Sequence, residues 1–187
     1  MNLKVLVCLF AFASLFAVGV SAQDLQKFDL FAGYSYVRAN PGTSGVDAFN
    51  LHGGSASIAY NASSWLSGVA DFGAYHRNNI LGTGVDGTLS TYLVGPRVSY
   101  RHHSHFAPFG QLLFGVAHIG GSDGLAFSTS NNSFAMALGG GVDVNASHRF
   151  SIRPVQVDYL LTRFNEFGKG AQSQNNLRVS TGVVFHF

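Results

Sequence analysis

Apolar and polar residues alternate with a period of two along most of this chain, the pattern of half-buried strands. The last segment shows it best. Leu177, Val179, Thr181, Val183, Phe185 and Phe187 fall on one face, while Arg178, Ser180, Gly182, Val184 and His186 fall on the other. The same ruler draws seven more strands, near 27–37, 50–60, 65–76, 88–101, 106–118, 133–145 and 149–162.

The connections between them alternate in length. Segments 61–64, 102–105 and 146–148 are short. Segments 38–49, 77–87, 119–132 and 163–175 are longer and rich in Gly, Asn and Ser. Short turns at one end and long loops at the other characterise outer-membrane barrels, with the short turns periplasmic. The pattern predicts an all-β fold, an eight-stranded antiparallel up-and-down transmembrane β-barrel. An even strand count puts both termini on the periplasmic side.

Charge then separates the two faces. In the first strand Leu30, Ala32, Tyr34 and Tyr36 oppose Asp29, Phe31, Gly33 and Ser35. In the fourth, Tyr92, Val94, Val98 and Tyr100 oppose Thr91, Gly95, Arg97 and Ser99. By the same parity Asp29, Asp71, Arg97, Asp143, Asp158 and Arg178 all lie opposite the apolar face of their own strand. An Arg facing lipid near the midplane costs about 2–4 kcal/mol, and an Asp less. These six are therefore placed in the lumen as a charge network. An eight-stranded barrel is barely wide enough for side chains to fill its interior. Charges confined there must pair. Four Asp against two Arg leaves an acidic excess, which His186, Arg101, Arg153 or ordered water can offset. The expectation is a polar plug that fixes register. The alternative is a proton or ion path.

Aromatic residues mark one rim. Tyr60 and Trp65 flank the first short turn, Tyr100 and Phe106 the second, and Phe150 follows the third. With Phe187 they form an expected girdle on the periplasmic side, where a ring with one wet and one apolar end is favoured.

The first residues stand apart from this pattern. Lys4 gives a short positive region, 5–20 is an almost unbroken apolar run, and Val20-Ser21-Ala22 supplies small residues for cleavage. This predicts a signal peptide over 1–22 and a mature barrel over 23–187. The single cysteine, Cys8, lies within the leader, which excludes a disulfide framework and thiol chemistry in the mature chain. Ten basic against nine acidic residues then remain, so no global field points to nucleic acid. Charged residues are only 11% of the chain, with 17 Phe and 7 Tyr. A soluble exported domain carries more surface charge than this.

Three stretches carry a resemblance. Phe28-Asp29-Leu30-Phe31-Ala32-Gly33-Tyr34-Ser35-Tyr36 opens the mature chain. Arg153-Pro154-Val155-Gln156-Val157-Asp158-Tyr159 stands next to last, and the alternating final strand closes on Phe187. Together they resemble the small OmpA-like barrels, the porin-family group of outer-membrane β-barrel proteins. The resemblance spans essentially the whole mature chain. It implies outer-membrane lipid as surroundings and a C-terminal signal, Phe185 and Phe187, read by the barrel-assembly machinery. The peptidoglycan-binding domain of OmpA itself is not expected.

Candidate chemistry is sparse. His102-His103-Ser104-His105 offers three imidazoles. Consecutive residues in a tight turn rarely aim at one point, so a hydrated turn and no metal are expected. Ser122 with His118 or His76 could serve a lipid-modifying enzyme, but no spacing unites nucleophile, base and orienting group. Gly53-Gly54 and Gly139-Gly140-Gly141 lack the strand-to-helix context of a phosphate loop. Asp86 and Asp123 beside glycines read as turns. The expected function is a non-enzymatic structural outer-membrane protein without cofactor. Its long loops are free for surface contacts with a partner the sequence does not identify. A narrow porin-like channel and a lipid-modifying enzyme are the alternatives.

Overall fold

Strand after strand, the alternation becomes a one-in, one-out pleat. In the computed structural model the elements are β1 (Phe28–Ala39), β2 (Phe49–Asn61), β3 (Leu66–Arg77), β4 (Val85–Ser99), β5 (Phe106–Asp123), β6 (Phe127–Ser147), β7 (Phe150–Glu166) and β8 (Gly170–His186). The structure describes residues 26–40, 48–77, 85–101, 105–123, 127–166 and 170–187. The signal peptide expected over 1–22 lies outside them. Each strand pairs antiparallel with the next, and β8 returns to β1, closing the sheet. Closure removes both sheet edges, which a lipid environment demands because no water can satisfy an open edge. The seam is knit to its end: Phe28 N donates to Phe187 O at 3.1 Å and Phe187 N to Phe28 O at 2.8 Å.

The eight strands match the alternation in number, but the connections do not match the expected loop lengths. Segments 119–132 and 163–175, expected as long loops, are mostly strand. β5 and β6 stay paired out to Asp123 and Phe127, and β7 and β8 out to Glu166 and Gly170. β5 has 18 residues and β6 has 21. A tilted crossing of the bilayer needs only about 9–11. These hairpins are longer than such a crossing requires. Ladder bonds run between backbone groups and need no alternation of side chains, so Gly, Ser and Asn runs can still pair.

Three register shifts interrupt the ladders of β7, one of them between Asn145 and Ser147 on the facing β6. The register shifts between Arg153 and Gln156 on its β8 side, and the facing stretch of β6 shifts between Val142 and Val144. Pro154 causes the shift on the β8 side. Proline cannot donate to a ladder and is tolerated in strands at bulges. The consequence is that both Arg153 and Gln156 are buried inside the barrel, whereas Pro154 and Val155 face outward.

The outer surface is apolar, with Val94 61% and Leu138 54% exposed. The interior divides into two layers. Towards the end that carries the short turns and both termini it is polar. Towards the hairpin end it is filled by a buried apolar cluster that includes Val37, Leu51, Leu89, Leu93, Leu113 and Leu160. An interior closed by polar groups alone is therefore not what forms. The inward parity that carries the charges also carries leucines.

Candidate functional site: the lumen and its rim

The six charges singled out by parity all point inward. Asp29, Asp71, Arg97, Asp158 and Arg178 are buried and Asp143 is half-buried. Five of them enter ion pairs. Arg178 on β8 reaches across the bore to Asp71 on β3, with Nη1 2.6 Å from Oδ1. The same guanidinium holds Asp158 on β7, with Nη2 2.8 Å from Oδ2. Tyr75 Oη accepts a further bond from Arg178 Nη1 at 3.2 Å.

The acidic excess is offset by two further arginines. Arg153 clasps Asp143 through Nε and Nη2, at 2.6 and 2.9 Å. Its carbon Cζ lies 4.5 Å from the Phe31 ring centroid and 4.4 Å from that of Phe109. Arg101 donates to Asp29 at 2.9 Å, and His186 Nδ1 lies 2.7 Å from the other oxygen of Asp29. Four Asp thus face four Arg in the polar layer, which is formally neutral.

Neutral side chains join these pairs into one chain. Arg153 Nη1 donates to Gln156 Oε1, and Gln156 Nε2 donates to Asp158 Oδ2 at 2.7 Å. Gln111 Nε2 donates to Asp158 Oδ1 at 3.0 Å and accepts from Arg97 at 2.8 and 3.1 Å. Sequence reasoning did not single out Gln111 or Tyr75. Gln111 had a signal, as the polar residue between Phe109 and Leu113 on the inward parity of β5. Glycines make the room: a Cβ at Gly139 would stand 2.5 Å from Asp158 Oδ1.

A cavity of about 500 Å³ opens at the turn end, bordered by Asp29, Arg97, Arg101, Asp143 and His186. His105 and His148 line it as well. His102, His103 and Ser104 lie outside the described residues. Among the described residues no cluster of three or more His, Cys, Asp or Glu is placed to hold a metal. Gln26 Nε2 donates to His148 O, tying the residues just before β1 to the β6–β7 turn.

The rim aromatics face outward. Tyr60, Trp65, Tyr100, Phe106 and Phe187 are exposed, and Phe150 is half-buried against Phe185, ring centroids 5.5 Å apart. Phe28 joins them, 5.4 Å from the ring of Tyr60. At the other end, His118 Nδ1 lies 2.7 Å from Asn132 Oδ1 and His76 Nδ1 lies 2.9 Å from Thr88 Oγ1. These two histidines stand on β5 and β3, separated by β4, and do not converge with each other.

A closed barrel of eight strands, apolar outside and charged within, defines a small outer-membrane β-barrel. The chain belongs to the outer membrane protein beta-barrel domain family, whose model matches residues 8–187. No curated protein matches the sequence. Among solved structures it is similar to Ail, the attachment invasion locus protein of Yersinia pestis. That match has 18% identity and a TM-score of 0.61, and covers 87% of this chain and 99% of that one. It is also similar to Neisserial surface protein A, at 14% identity and a TM-score of 0.66, covering 86% and 97%. The N-terminal β-barrel domain of Pseudomonas aeruginosa OprF matches at 16% identity and a TM-score of 0.52, covering 87% and 98%. At these identities the likeness is one of fold. Membership of the family places the protein in the bacterial outer membrane.

Proposed function

We propose that this protein is a structural component of the outer membrane whose lumen is closed to solutes. The carrying observation is the double filling of the bore. Arg178 bridges Asp71 and Asp158 across the polar layer, and Leu89, Leu93, Leu113 and Leu160 pack in the apolar layer beyond it. Water and ions have no reason to enter an apolar constriction, which gates by dewetting. In this reading the short turns and both termini are periplasmic. The hairpins β5–β6 and β7–β8 project outward and offer surface contacts. The barrel is not an enzyme: His118 and His76 each hydrogen-bond a side chain of the neighbouring strand and serve the sheet. The rim aromatics anchor the turn end in the interface, and Phe185 with Phe187 guides assembly.

The turn-end cavity favours a second reading, a narrow ion path that starts there and continues through the charge network. Recording from the purified barrel in a planar bilayer decides between them. The closed reading expects no steady conductance. Ion-selective steps that Asp71→Asn alters would establish the path.

A further inference from the structure

Charge is balanced in the polar layer as a whole, but not locally. Arg178 takes two carboxylates, Asp71 and Asp158. Asp29 is committed to Arg101 and His186, and Asp143 to Arg153. Arg97 is left over. It is 3% exposed, and among the described residues no carboxylate lies within ion-pair distance of it. Its Nε and Nη2 both donate to the one neutral oxygen of Gln111, at 3.1 and 2.8 Å, while its Cζ lies 4.5 Å from the Phe109 ring centroid. A buried cation held only by an amide and a ring is costly without a counter-ion.

Arg97 borders the turn-end cavity of about 500 Å³. That volume suits a small molecule. Residues with donor groups line it from several strands: Arg97 and Ser99 from β4, Arg101 just after it, and Asn145 from β6. Donors converging from different walls suit a tetrahedral anion with several acceptor oxygens, and a guanidinium fork matches two of them.

We propose that this cavity is a phosphate-binding site with Arg97 as its anchoring cation. The ligand is a phosphate group, carried either by a small solute or by a phospholipid head at the turn-end rim. It supplies the negative charge that Arg97 lacks. Asp29 and Asp143, already neutralised by their own partners, do not repel it strongly.

The test is a titration of the mature barrel, refolded in octyl glucoside, which contains no phosphate. Inorganic phosphate is added at constant ionic strength while the Arg97 Nε–H resonance is followed. A saturable shift is expected, with acetate giving none. Arg97→Gln should weaken phosphate binding on the order of tenfold or more, as loss of a charge-assisted contact does. Arg38→Gln, on the outer face, should leave it unchanged. If Arg97→Gln does not fold, Arg97→Lys replaces it and should retain weakened binding. In phosphatidylglycerol nanodiscs without added phosphate, an Arg97 resonance already at its bound position identifies the lipid head as the source. A shift only on adding phosphate identifies a solute. A linear, unsaturated response in wild type, or equal affinity in the Arg97 variant, would overturn the site.

Discussion

Arg178 Nη1 and Asp71 Oδ1 meet 2.6 Å apart across the bore, joining β8 to β3, strands that share no ladder. The bond is therefore a strut between walls, and 107 residues of chain separate its ends. Removing one member of a buried pair leaves the other uncompensated and costs about 3–5 kcal/mol. Asp71→Asn should lose that much in urea unfolding from liposomes. A double-mutant cycle with Arg178→Gln should return a coupling of about 0.5–3 kcal/mol. Strict additivity would show that the strut contributes nothing.

Arg153 makes a different demand. Its guanidinium holds both oxygens of Asp143 while lying over Phe31 and Phe109. A lysine carries the same charge but neither the fork nor the flat face. Arg153→Lys should therefore destabilise by about 1–3 kcal/mol despite conserving charge. A urea midpoint equal to wild type would show that charge alone matters at this position.

These two arginines also show what was legible beforehand. Arg178 could be placed inside by counting from Phe187, because the parity of β8 is unbroken. Arg153 could not, because strict alternation puts it on the face of Val155 and Val157, towards lipid. The Pro154 bulge adds the extra residue that turns it inward, and proline was the only warning. The apolar layer was missed for another reason. Leu93, Leu113 and Leu160 share the inward parity of the charges, but apolar residues on both faces leave no contrast to read. The long hairpins were missed because Gly, Ser and Asn dominate those segments and leave no alternation to read.

Gly73 tests how closely the interior is packed. A Cβ there would stand 2.1 Å from Tyr75 Oη and 2.7 Å from Thr91 Oγ1, whereas one at Gly68 meets nothing within 4 Å. Tyr75 is fully buried and its hydroxyl accepts from Arg178. Gly73→Ala must displace it, at a cost of about 1–3 kcal/mol for overpacking. Gly68→Ala should leave the heat-modifiable band on an unboiled gel unchanged. Equal behaviour of the two variants would contradict the packing around Tyr75.

Val94 probes the lipid face. It is 61% exposed and lies six residues along the chain from Tyr100 at the rim. With ~3.3 Å rise per residue and ~40° tilt, that is ~15 Å, close to mid-bilayer. Val94→Arg should cost about 2–4 kcal/mol in liposomes, the charge of a guanidinium near the midplane. In detergent micelles, which deform around the charge, the penalty should shrink. A similar loss in both media would mean that Val94 does not face lipid.

Phe187 separates assembly from stability. Its backbone closes the seam with Phe28, but its side chain is 69% exposed and adds little packing. Phe187→Ala keeps the backbone bonds. A refolded sample should then unfold within about 0.5 kcal/mol of wild type, as substitutions outside the core usually do. In cells the outcome should differ. If the alternating end of β8 is what the assembly machinery reads, the variant should reach the membrane more slowly and accumulate unfolded in the periplasm. Pulse-labelling followed by an unboiled gel measures both quantities. Normal assembly alongside normal stability would remove Phe187 from the signal and leave it a rim aromatic. Impaired refolding in pure lipid would instead make its role one of packing.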